Sequence, residues 1–215
     1  MSATEPDWAS ETEQRILAAA IPRVTSLGWN TALVTAAAAD VGLTPGEASL
    51  LLPNGPRDLA ALLSRHHDRV AMTILAGVDP KTLKIRERIR RGVEARLDAA
   101  AADAKAVKRW SAFLALPLNV PLALRLAWES ADGLWRWAGD TSTDENHYSK
   151  RALLAGILIS TLAVRLSAGR EAASAELSAR IDNVMAFETW KAKRKPSTWG
   201  QNLAAALGRM RYGRG

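Results

Sequence analysis

Residues 134–151 read LWRWAGDTSTDENHYSKR, and they set the reading of the whole chain because they gather aromatic and charged side chains where two helices should meet. Just upstream, Val120, Leu124, Trp128, Ala131 and Trp135 recur at helical spacing. Arg125, Glu129, Asp132 and Arg136 recur on the opposite face in i,i+4 pairs, which is the pattern of an amphipathic helix. Gly139 predicts its stop, since a residue without a Cβ closes a helix in left-handed backbone without steric cost. Ser142, followed three residues later by Glu145, has the form of a capping box and opens a second helix.

Outward from this junction the pattern predicts an all-α fold. Strand signals are almost absent, alanine is abundant, and Pro22, Pro45, Pro53, Pro56, Pro80, Pro117, Pro121 and Pro196 mostly sit where periodic segments begin or end. Nine or ten helices are expected, over about 10–27, 33–41, 45–52, 56–77, 81–101, 103–116, 120–138, 143–168, 171–192 and 198–212. With 215 residues, 48% of them hydrophobic, the chain has enough apolar material for a substantial core. The lack of cysteine excludes disulfides, thiolate catalysis and cysteine–metal sites. The first residues, MSATEPDWASETE, have neither the apolar centre of a secretion signal nor the arginines of a transit peptide, so a cytoplasmic protein is expected. The longest apolar run, 152–164, is shorter than the roughly 20 residues a bilayer span requires.

The positive charge is concentrated at the C-terminal end. From Glu188 onward, Lys191, Lys193, Arg194, Lys195, Arg209, Arg211 and Arg214 face a single acid, which is +6 of the formal net +7. Trp199, Leu203, Leu207 and Met210 form an apolar stripe at helical spacing beside these cations. A helix of this kind lies in a membrane interface, where each cation near an anionic bilayer contributes about 1 kcal/mol. Lys193, Arg194, Lys195, Trp199, Leu203, Leu207 and Met210 are therefore the expected membrane-binding residues, the alternative being a stripe packed on the body. A second basic run, 81–96, reads by default as a solvated amphipathic face.

Two resemblances sharpen the reading. The segment from RILAAA at Arg15 through Gly28 and Thr35 to GLTPGEASLLL and Asp58 resembles the helix-turn-helix of TetR regulators. Its chemistry argues against DNA, because no lysine or arginine lies between Arg23 and Arg57, whereas duplex binding depends on cations at phosphates and on polar side chains at base edges. No nucleic-acid partner is expected, and a ligand-responsive repressor stands as the alternative function. The junction, with FLALPLNVP at 113–121 and ALLAGI at 152–157, resembles the ubiquinone-biosynthesis lipid-binding family, the ninth of the COQ proteins.

That family resemblance implies a TetR-like bundle that encloses a lipid pocket, a homodimer, and a non-enzymatic protein, peripheral on the inner membrane, that assists a quinone-modifying hydroxylase. It implies an isoprenoid quinone or phospholipid as ligand, with Leu116, Leu118, Val120, Leu124, Trp128, Leu153, Ile157 and Leu162 as candidate lining. From periodicity alone these apolar helices would simply pack together. Pro117 and Pro121 would bend the chain there. The resemblance also implies a hydroxylase contact at the junction, with Leu134 and Tyr148 as anchors and Asp144, His147 and Arg151 setting orientation. Relatives often have tryptophan at the place of His147. The expected organisation is a degenerate helix-turn-helix module at 1–55, a lipid-binding and dimerisation body at 56–192, and a basic membrane-binding tail at 193–215.

Catalysis finds little support in the residues. The three histidines, His66, His67 and His147, belong to no Glu-x-x-His pair, and neither phosphate-cradling motifs nor a nucleophile elbow occur. Asp144 and His147 stand three apart, as two metal ligands would, but acids in a first helical turn are already explained by the helix dipole. No enzyme, cofactor or metal is expected.

Overall fold

The computed structural model describes residues 8–141 and 145–193, with side chains at 8–141 and 147–184. Within them are α1 (Trp8–Leu27), α2 (Thr31–Asp40), α3 (Pro45–Leu51), α4 (Pro56–Leu75), α5 (Ile85–Ala102), α6 (Ala104–Leu114), α7 (Val120–Trp137) and α8 (Glu145–Lys193). Short 3-10 turns at Pro80–Thr82 and Pro117–Asn119 join them, and no strand occurs among the described residues. The fold is all-α, with eight α-helices there rather than nine or ten. The helices expected at 143–168 and 171–192 run as one element, interrupted where Gly169 adopts φ 89° and ψ −169°. The last expected helix, 198–212, lies outside the described residues, as do Ser142 and Asp144 of the junction.

Local chemistry explains most boundaries. Asn30 accepts a hydrogen bond from the Leu33 amide at 3.1 Å and so caps α2. Thr44 and Glu47 exchange side-chain and backbone bonds in a capping box at α3, with Pro45 in the first turn, where its missing N–H costs nothing. α5 starts at Ile85, later than its periodicity predicts, because the Asp79 carboxylate accepts from Lys81 and holds Pro80–Thr82 in a 3-10 turn. Gly139, at φ 86°, ends α7 as expected, and the Asp140 amide bonds back to the Trp135 carbonyl at 3.0 Å.

Packing divides the chain into two units, 1–177 and 178–215. In the first, α1 packs on α2 and α6, and α4 packs on α5 and α7. One apolar core runs from α1 to α7 and includes Ile16, Leu33, Leu59, Leu63, Trp110 and Leu126. Each such side chain contributes roughly 1.5–3 kcal/mol on burial. The two core tryptophans satisfy their indole donors on the backbone, Trp29 on Pro56 at 2.9 Å and Trp110 on Ala60 at 3.0 Å. In the second unit the described residues are the last turns of α8, where Ile181 is buried.

α8 carries one segment, within His147–Val184, that is apolar and long enough to cross a bilayer by length and composition, with mean hydropathy 1.8. The uninterrupted run of 152–164 understated it, since Arg165 breaks the run without ending the apolar helix. Leu154, Ile157, Leu158 and Thr161 are nonetheless buried in the protein, and Arg151 and Arg165 pair with Asp132, Asp140 and Asp98. The opposite side is bare, with Leu153 and Ile159 exposed.

Candidate functional site: an apolar cavity with a buried polar end

Helices α4 to α8 enclose a cavity of about 330 Å³, near the lower end of small-molecule sites. α6 and the segment carrying α7 meet at 97°. Pro117 opens the 3-10 turn at this bend and Pro121 sits in the first turn of α7, so the expected proline-directed bend is present. Ala115 and Val120, on either side of it, line the cavity.

Of the residues expected to line a pocket, the structure places Val120 and Leu162 in the cavity wall. Leu116, Leu118, Leu124 and Leu153 are exposed, and Ile157 is buried. Trp128 is half-buried, its ring 6.1 Å from that of Tyr148. The wall also draws on α4, α5 and α6 through Ser64, Arg96, Leu97, Trp110 and Leu114. Periodicity did not point to these, since an apolar or small residue on a buried helix face reads the same whether it meets a neighbour or a void.

Behind one end of the cavity lies a polar cluster. Arg96 Nε donates to Asp68 at 2.6 Å, and its Nη2 donates to the Ser64 carbonyl and hydroxyl at 3.4 and 3.3 Å. Ser130 donates to the same Asp68 oxygen at 2.7 Å. His67, 1% exposed, lies 2.9 Å from Asp103 through Nε2. Burial, then the Arg96 charge, push its imidazole down to about 4. The ring is therefore neutral near pH 7, and its Nε2–H donates to the carboxylate, which can only accept.

The junction differs from its expected role. Arg151, 2% exposed, donates from Nε to Asp132 at 2.6 Å and from Nη1 to Asp140 at 3.1 Å and to the His147 carbonyl at 3.1 Å. It is an internal clamp between α7 and α8. Leu134 is also interior, at 2% exposure, and a Cβ added to Gly92 would stand 3.2 Å from its Cδ2. Neither side chain offers itself at the surface, because α7 buries the row Leu122, Leu126, Ser130 and Leu134 rather than the row Val120, Leu124 and Trp128 that the spacing marked, and because the arginine needs both acids to leave water. Tyr148 is 64% exposed, with His147 edge-on at 5.2 Å. Asp144 lies outside the described residues. Among the described residues no three His, Asp or Glu side chains cluster as metal ligands would.

At the helix-turn-helix, α2 and α3 are joined through Gly42 at φ 83°. Two nearby cations are engaged internally: Arg23 pairs with Asp40 at 2.5 and 2.7 Å, and Arg15 donates to the Val41 carbonyl at 3.1 Å. Leu50 is the prominent exposed side chain of α3, a poor reader of base edges.

The COQ9 family model matches residues 120–188, which include α7, the junction and the α8 wall of the cavity. The chain is 31% identical over 167 residues to the mitochondrial ubiquinone biosynthesis protein COQ9 of Bos taurus, covering 73% of this chain and 52% of that protein. It is 30% identical over 167 residues to the Homo sapiens protein of the same name, with the same coverage. To the mitochondrial ubiquinone biosynthesis protein COQ9-B of Xenopus laevis it is 30% identical over 176 residues, covering 74% of this chain and 57% of that protein. The chain thus spans about half the length of the curated relatives it matches. With the matched segment covering the α7 and α8 side of the cavity and the clamped junction, and relatives about 30% identical over most of this chain, the chain belongs to the COQ9 family.

Proposed function

We propose that the protein is a non-enzymatic accessory of ubiquinone biosynthesis that holds the chain of an isoprenoid quinone intermediate and presents it to a hydroxylase at a membrane surface. The observation that carries this reading is the apolar cavity lined in part by exposed Val120 and Ile159. Such a site binds by removing apolar area from water, at about 25 cal/mol per Å². The relatives' names tie them to ubiquinone biosynthesis. The basic stripe of the tail, with Trp199, Leu203, Leu207 and Met210, suits reversible attachment to the inner membrane from the cytoplasmic side. Exposed Tyr148 and half-buried His147 form the aromatic part of the junction and suit the hydroxylase contact, while Leu134 and Arg151 support it from inside.

Mass spectrometry of lipids extracted from the purified full chain tests the reading. An isoprenoid quinone or its precursor, in near-stoichiometric amount, is the expected result. Protein that carries no lipid, and takes up none from quinone-doped vesicles, would overturn it.

A further inference from the structure

The cavity is polarised. Its exposed wall is apolar, through Ala115, Val120 and Ile159, whereas Ser64, Arg96 and Ser130 are buried at 1%, 6% and 5% exposure. A pocket built only to hide hydrocarbon gains nothing from a buried guanidinium, whose removal from water costs several kcal/mol unless it is paired. Arg96 is only partly engaged: Nε and Nη2 have acceptors, but Nη1 makes no hydrogen bond among the described residues. Ser64 accepts from Nη2 and keeps its own hydroxyl proton free to donate. Donors therefore collect at the closed end and apolar surface at the mouth.

From this polarity we propose that the cavity takes its amphiphile head first, an uncharged hydrogen-bond acceptor resting on Arg96 and Ser64 while the apolar chain leaves between Val120 and Ile159. The inference rests on the lipid-site reading above and adds orientation and head chemistry to it. Asp68, 2.6 Å from Arg96, already balances the guanidinium. An anionic head would bring a second negative charge to a buried cation that is already neutralised, and it would lose its own hydration. A carbonyl or hydroxyl oxygen costs less to desolvate and needs one donor pair, which Nη1 supplies. Outside the mouth, Leu124 continues the face of Val120 one turn along α7 and is exposed, so it can cover further chain.

Two farnesol analogues carrying a diazirine, one beside the hydroxyl and one at the chain end, test this with the full-length protein and peptide mapping. The head-side probe is expected to label α4 and α5 around Ser64 and Arg96, and the chain-end probe to label α7 and α8 around Val120 and Ile159, both competed by excess farnesol. The reversed pattern, or one pattern for both probes, overturns the orientation while leaving a lipid site in place. Labelling that farnesol does not compete overturns the lipid site and this inference together. Farnesol is also expected to bind about tenfold more tightly than farnesane, the magnitude of one charge-assisted hydrogen bond, and no less tightly than farnesyl phosphate. Arg96→Lys keeps the charge opposite Asp68 but loses Nη1, so it should abolish the preference over farnesane. Tighter binding of the phosphate refutes the uncharged head.

Discussion

At the scale of single residues, the buried ionisable groups make the most direct predictions. His67 titrates near 4 in the fold and near 6.5 in the unfolded chain. Between these values only the unfolded chain takes up the proton. Its contribution to stability is therefore fully present above about pH 6.5 and is lost as pH falls toward about 4, by up to about 3 kcal/mol. Urea midpoints measured across that window should fall with pH. His67→Gln, which keeps a donor for Asp103 but does not titrate, should flatten much of the fall, and an unchanged slope would remove His67 as its source. At the junction, Arg151→Met leaves Asp132 paired only with Arg136 and Asp140 only with Lys150, at a cost of about 1–3 kcal/mol. Tyr148→Ala removes an exposed ring and should change thermal stability little, yet reduce co-purification with the hydroxylase severalfold. If Tyr148→Ala destabilises as much as Arg151→Met, the ring belongs to the fold and not to an interface.

At the scale of elements, α7 spans and ends as the sequence predicts. Its end depends on contacts within a few residues, through Gly139 at φ 86°. Faces are a different matter. The row Leu116, Leu118, Leu124 and Leu153 has the composition of a lining yet stands in solvent. Periodicity marks an apolar face without saying what covers it. For the tail the membrane role is proposed from sequence alone, since stripe and charge both lie within 193–215. Truncation before Pro196 should leave a folded body that has lost most of its affinity for anionic liposomes. Trp199→Ala with Leu203→Ala should weaken sedimentation with liposomes even at low salt, because the apolar area goes while every cation stays. Full binding by the truncated protein would move the membrane contact elsewhere.

For the whole molecule, the bare side of α8 is the feature to account for. Ala155, Gly156, Ser160 and Ala163 are small, and a Cβ added to Gly156 meets nothing within 4 Å. With exposed Leu153 beside them, a second copy can approach closely and cover apolar surface. A homodimer is expected in solution, and Gly156→Arg should yield monomers of unchanged helicity. Light scattering that gives the monomer mass of 23.2 kDa for the unaltered protein across micromolar concentrations would refute the dimer.

The sequence alone was enough for the all-α class, for most helix limits, for the proline bend between α6 and α7 and for the family. Caps, prolines and helical periodicity act over a handful of residues, and aligned motifs are local strings. Tertiary structure alone decided that Leu134 and Arg151 are interior, that Arg151 joins Asp132 to Asp140, and that Arg96 meets Ser64 and Asp68 at the end of a cavity. Arg96 and Asp68 are 28 residues apart. Nothing in either segment records the other, because a buried charge is tolerated only where the packed helices deliver its partner.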